Sequence, residues 1–122
     1  MSGASILIIE DEAIVREDLR MTLEDAGYDV VGAVGDGEEG LMVAREQAPS
    51  LALVDVYLSG SLDGVSVGEM LDSLGTRVVF TSGATHEIDR ARSVSPLFLS
   101  KPFSSEALLD TVREALGGRR AG

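Results

Sequence analysis

Ser50-Leu51-Ala52-Leu53-Val54-Asp55-Val56-Tyr57-Leu58 is an almost unbroken apolar run that leads into a single carboxylate. Pro49 and Ser50 before it mark a loop, as do Gly60, Asp63 and Gly64 after it. A short apolar run bounded by turn residues has the pattern of a strand buried on both faces. Open α/β sheets carry their chemistry at the carboxyl ends of such strands. Asp55 is therefore the candidate reactive group, and its partners must come from the other strand ends.

Outward from this stretch, two kinds of segment alternate. Ser5 to Ile9 is a first strand, apolar up to Glu10. Val15, Leu19, Leu23 and Ala26 recur at helical spacing, and Gly27 supplies the stop. Tyr28 to Val34 is a weaker second strand with Gly32 inside it, which places it near an edge. Asp36 is an N-cap candidate, and Leu41, Ala44 and Ala48 mark one face of a second helix that ends before Pro49.

Beyond the central strand, Val67, Met70, Leu71 and Leu74 predict a third helix closed by Gly75, and Arg77 to Thr81 a fourth strand. Between Gly83 and Pro96 the signal is weakest. Glu87 to Arg92 allows only a turn or two of helix, with Ile88 and Ala91 as its apolar face. Leu97 to Ser100 is a fifth strand. Ser104 caps a last helix with Glu106 in its first turn, Leu109, Val112 and Leu116 as its stripe, and Gly117-Gly118 as its end. Strands joined by helices run parallel with right-handed crossovers, so the fold class is α/β: one doubly wound, open five-stranded parallel sheet with about five helices.

Composition sets the bounds. A chain of 122 residues is the size of one domain. Its 44% apolar and 25% charged content fits a globular protein. No apolar run reaches the roughly 20 residues that span a bilayer, and Met1 to Ser5 lacks the basic start of a secretory signal. The absence of cysteine excludes disulfides and thiolate metal sites and fits a cytoplasmic location. Ten basic against 21 acidic residues, a net charge of −11, oppose direct nucleic-acid binding and suit a cation or a partner with a basic face. Arg119-Arg120 reads as a solvated helix end and the lone His86 as surface polar.

In a parallel sheet all carboxyl ends share one edge. Glu10-Asp11-Glu12, Asp55, Thr81-Ser82-Gly83 and Ser100-Lys101-Pro102 therefore converge. Taken singly, each has an ordinary explanation: acids favour helix starts, and a lone Asp after a strand is usually a turn or cap residue. Those explanations predict no agreement among four strand ends. Carboxylates alone would repel one another and raise each other's pKa values. A hard divalent cation with oxygen ligands removes that conflict. Carboxylate nucleophile, cation, hydroxyl and ammonium together form a kit for phosphoryl transfer.

These residues resemble a response-regulator receiver domain of the CheY-like family. The likeness is carried by Ile6-Leu7-Ile8-Ile9-Glu10-Asp11-Glu12, Leu51 to Leu58, Val78-Val79-Phe80-Thr81-Ser82-Gly83 and Leu99-Ser100-Lys101-Pro102-Phe103, and it spans Ile6 to Leu116. It implies the flavodoxin-like strand order 2-1-3-4-5 and a single receiver domain over residues 1–122. It also implies a two-component phosphorelay in which a histidine kinase or histidine phosphotransfer protein delivers a phosphoryl group to Asp55. Asp11, Asp55 and the backbone carbonyl of Tyr57 would hold Mg²⁺ or Mn²⁺, with Glu10 acting through a water.

By the same resemblance, Lys101, Ser82 and Gly83 would contact the phosphoryl oxygens, and the Lys101–Pro102 bond would be cis. The switch hydroxyl is assigned to Ser82, because it directly precedes the small residue Gly83, with Thr81 as the alternative. Phe98, three positions before Lys101, matches the aromatic switch. Ser82 would move to the phosphoryl group and vacate space for Phe98, biasing a two-state surface. The protein would act as a phosphoacceptor rather than an enzyme on external substrates.

Several features depart from the family pattern. Glu10 stands where a second Asp is common, the loop from Tyr57 to Gly64 is long and lacks proline, and the segment between Ser82 and Lys101 is short. The fourth helix is therefore expected to be stunted. With no segment for DNA binding or catalysis after the last helix, the chain is expected to be a stand-alone receiver acting on an unknown downstream protein, with neither nucleic acid nor membrane as partner. A Mg²⁺-dependent aspartyl phosphatase fits less well, since the second acid it needs two residues after the nucleophile is Tyr57 here. A nucleotide-binding flavodoxin-like module would need a phosphate loop where Glu10-Asp11-Glu12 stands.

Overall fold

Strands and helices alternate along a computed structural model that describes residues 3–60, 62–83 and 88–117. The order is β1 (Ser5–Ile9), α1 (Ala13–Asp25), β2 (Asp29–Val34), α2 (Gly37–Gln47), β3 (Leu51–Asp55), α3 (Gly64–Ser73), β4 (Arg77–Ser82), α4 (Ile88–Val94), β5 (Phe98–Ser100) and α5 (Ser105–Ala115). Ser61, His86, Glu87, the Ile88 side chain, Gly118 and Arg119-Arg120 lie outside what is described. All strand pairs are parallel and the sheet runs β2-β1-β3-β4-β5, so the Gly32 strand is indeed at an edge.

The period of two in the strands divides the core. Leu7, Ile9, Ala52, Val54, Val78 and Phe80 face one side, where Leu41, Ala44, Val65, Val67, Leu71 and Ala91 from α2, α3 and α4 cover them. Ile6, Ile8, Leu51, Leu53, Val79 and Leu99 face the other, beneath Leu19 and Leu23 of α1 and Leu108, Val112 and Ala115 of α5. Each fully buried Leu, Ile or Phe contributes about 1.5–3 kcal/mol, and β3, buried at every position, is the keel.

Helix ends follow local chemistry. Asp36 accepts the Glu38 and Glu39 amides at 2.7 and 3.1 Å, and Ser104 accepts that of Ala107 at 3.0 Å, as expected of caps. Three stripes differ from the sequence expectation. Ala48 is exposed and caps α2 in the left-handed region (φ 46°). Met70 and Leu74 are 41% and 51% exposed, because α3 turns Val67, Gly68 and Leu71 inward. In α5 the fully buried positions are Leu108, Val112 and Ala115, while Leu109 and Leu116 pack at the margin. The fourth helix is described over seven residues, Ile88–Val94.

Candidate functional site

The carboxyl edge of the sheet brings the predicted groups together. β1 ends one residue before Glu10, which is 1% exposed, and β3 delivers Asp55 at 5% exposure. Lys101 follows β5 directly, tied to β4 by its amide, which donates to the Ser82 carbonyl at 2.8 Å. Its ammonium lies 3.0 Å from Asp55 Oδ2 and 3.1 Å from Glu10 Oε1. The other Asp55 oxygen, Oδ1, accepts the Tyr57 amide at 2.9 Å. Carboxylate oxygens of Glu10, Asp11 and Asp55 all lie within 4.8 Å of one another.

The electrostatics follow from this crowding. Burial pushes the Glu10 carboxyl up, and the Asp55 charge adds to the rise, against the Glu12 amide and Lys101, which favour its ionised form. For Lys101, burial would lower the pKa, but its bonds to Asp55 and Glu10 outweigh burial and raise it. The site thus holds more negative charge than its one ammonium offsets. A hard cation with oxygen ligands fits such a donor set.

The loop after β3 is locked down at both ends. Val56 donates to the Thr81 carbonyl at 2.9 Å, and Gly64 donates to the Val56 carbonyl at 3.0 Å. A Cβ on Gly64 would lie 1.9 Å from the Asp55 carbonyl oxygen, so α3 starts hard against the candidate acceptor only because residue 64 is glycine. Ser59 donates its amide to Asp11 Oδ2 at 3.3 Å, drawing the long loop over the acidic pair. Sequence reasoning took Gly64 only as a loop marker and gave Ser59 no role of its own. Gly64 does have a signal, a glycine opening the helix at the end of the loop that follows the reactive strand, whereas a backbone donor such as Ser59 has none.

Thr81 and Ser82 are both buried at the end of β4. Thr81 pairs with Asp55 in the ladder, while Ser82 pairs with Ser100 beside Lys101. Gly83 is exposed, and a Cβ there would sit 3.8 Å from Lys101 Cβ. Phe98 is set back from the site: it pairs with Phe80 and packs, half-buried, against the α2–α3–α4 core. The Lys101–Pro102 bond is cis.

Residues 6–113 match the family described as the response regulator receiver domain. The transcriptional regulatory protein PdtaR of Mycobacterium tuberculosis is 34% identical over 115 residues, which cover 91% of this chain and 56% of PdtaR. The transcriptional regulatory protein CseB of Streptomyces coelicolor is 34% identical over 121 residues, covering 96% of this chain and 50% of CseB. The chain thus spans about half the length of these curated relatives.

Among solved structures, the signal receiver domain of a modulated diguanylate cyclase from Desulfovibrio desulfuricans G20 superposes with a TM-score of 0.89 at 32% identity, covering 98% of both chains. A CheY-like receiver domain protein from Methanospirillum hungatei JF-1 gives 0.88 at 25% identity, covering 99% of this chain and 100% of that one. Sheet order and sequence agree, and the chain belongs to the response regulator receiver domain family.

Proposed function

We propose that this receiver accepts a phosphoryl group on Asp55 from the phosphohistidine of a histidine kinase or phosphotransfer protein. An Asp55 carboxylate oxygen bonds to phosphorus as the phosphorus–nitrogen bond breaks, and the electron pair leaves with the imidazole. The carrying observation is Asp55 itself. It is a buried carboxylate with an amide on one oxygen and an ammonium on the other, beside two further acids. Lys101, bonded to Asp55, would follow the charge from carboxylate to phosphoryl oxygen, and the Tyr57 amide would hold the acceptor's orientation.

Glu10, Asp11 and Asp55, with the Tyr57 carbonyl implied by the family, would hold Mg²⁺ or Mn²⁺, which when bound offsets the carboxylate and phosphoryl charge. Ser82 is the proposed switch hydroxyl. Its carbonyl accepts the Lys101 amide and it pairs with Ser100, so a shift of Ser82 toward the phosphoryl group would be felt at the end of β5. Output would be binding of a downstream protein or onward transfer of the phosphoryl group, and the chain would act on no substrate beyond its own aspartate. No described helix is long and apolar enough to cross a membrane.

The test is intact mass after incubation with Mg²⁺ and a small acyl phosphate or phosphoramidate. One added phosphoryl group is expected, and none in Asp55→Asn. Absence of an adduct with small donors and with a panel of histidine kinases alike would sink this reading.

A further inference from the structure

We propose that Arg16 is a positioning residue for the cation site: its guanidinium, seated over Gly35, fixes the Glu10–Asp11 peptide and so aims both acids at Asp55. This rests on reading Glu10, Asp11 and Asp55 as a divalent-cation site. The ladders between β1 and its two neighbours end at Ile9. Glu10 still donates its amide to the Val34 carbonyl at 2.9 Å. Its own carbonyl lies past the ladders, in a residue that is almost fully buried. Arg16 Nη1, one turn into α1, donates to that carbonyl at 2.8 Å. A buried carbonyl left without a donor costs about 1–3 kcal/mol, so this bond decides where the peptide points.

Gly35 is the second, independent observation. Its φ lies outside the left-handed region, so the backbone does not demand glycine. A Cβ at this position would come within 2.8 Å of Arg16 Nη1, so the end of that side chain would have to shift, and would meet the Asp11 Cα at an ordinary 3.8 Å. The guanidinium and the start of the acidic turn share the clearance that the missing side chain leaves. Because the peptide is planar, an oxygen held by Arg16 also fixes the direction in which the chain enters Asp11. With the Glu10 amide held by Val34, both acidic residues are pinned from the backbone side.

Charge and positioning predict opposite signs, which makes the proposal testable. A cation near an acidic cluster repels a divalent ion, so an Arg16 that acted only by charge would weaken Mg²⁺ binding, and its removal would tighten it. Positioning requires the reverse. Isothermal titration of the full chain with Mg²⁺ should show Arg16→Gln binding about 3- to 10-fold more weakly, the range expected for losing one hydrogen bond behind a metal ligand. Arg16→Lys, which keeps the charge and one donor, should recover part of the loss.

Gly35→Ala should also weaken binding by displacing the guanidinium, and should add less than about twofold when Arg16 is already Gln, as expected of coupled neighbours. Arg20→Gln is the charge control. Arg20 lies one turn further on, bonded to Glu17 and Glu24, and its loss should leave Mg²⁺ affinity unchanged or slightly tighter. Equal or tighter binding in Arg16→Gln, or full additivity of the Arg16 and Gly35 changes, overturns the proposal. If Arg16→Gln fails to fold by far-UV circular dichroism, Gly35→Ala decides alone, and unchanged affinity there overturns it. Absence of Mg²⁺ binding by the wild type would instead overturn the cation-site reading.

Discussion

Two carboxylates, Glu10 and Asp55, share one ammonium, with Lys101 Nζ 3.1 and 3.0 Å from them and its side chain 20% exposed. Below the ordinary lysine pKa this contribution is fully present, and it is lost only as pH rises through the elevated folded value. In Lys101→Met both acids remain buried without a counter-charge. Breaking a fully buried pair costs about 3–5 kcal/mol. Partial exposure lets water enter here, so a loss of about 2 kcal/mol is expected in urea denaturation without metal. Added Mg²⁺ should raise the urea midpoint more in the variant than in wild type, because the cation replaces charge the lysine supplied. Asp55 and Lys101 were legible in the sequence because strand ends in a parallel sheet share an edge. Arg16 and Gly64 were not, because their roles depend on backbone clearances that no residue pattern encodes.

Helix ends are where single substitutions should speak most clearly. Ala48 occupies the left-handed region at the end of α2, a conformation costing a non-glycine residue about 1 kcal/mol. Ala48→Gly should therefore raise stability by about 0.5–1 kcal/mol in chemical denaturation. Asp63 caps α3 through the Ser66 amide at 2.8 Å and pairs with Arg90 of α4 at 3.2 Å. Partial burial would raise its pKa, but the Ser66 bond and Arg90 outweigh it and hold the carboxyl below the usual range. A depressed folded pKa stabilises above the unfolded value, about pH 4, and that stability is lost as pH falls through the folded value. Asp63→Asn keeps a capping oxygen but not the charge. Its melting temperature should fall below wild type at neutral pH, and the gap should close as pH drops below about 4.

At the scale of the molecule, short apolar runs bounded by turn residues foretold strands buried on both faces, and helical spacing between them foretold the alternation. The helix stripes were read less well, because Met70 and Leu74 satisfy a helical period without facing the sheet. In its described side chains, α4 is the least buried of the helices. Among its described side chains only Ala91 is fully buried, whereas α1 buries Leu19 and Leu23 and α5 buries Leu108, Val112 and Ala115. Its C-terminal end is held instead by Ser95, whose hydroxyl donates to the Val78 carbonyl at 2.6 Å. Segments with few buried apolar contacts open at lower free energy than the core, so α4 amides should exchange with deuterium faster than those of α1 and α5. A helix so lightly anchored can be repositioned by a local change at Ser82 and Phe98, since little apolar contact must be broken first. Of three phenylalanines, Phe98 lies in the half-buried margin of the core that Ala91 of α4 helps to form, whereas Phe80 is wholly enclosed. Binding of a phosphoryl mimic with Mg²⁺ should therefore shift the Phe98 ring resonances and change α4 exchange, leaving Phe80 and the α1 amides remote from the site nearly still. A Phe98 ring and an α4 that both ignore the mimic would show that phosphorylation of Asp55 is read by some other surface.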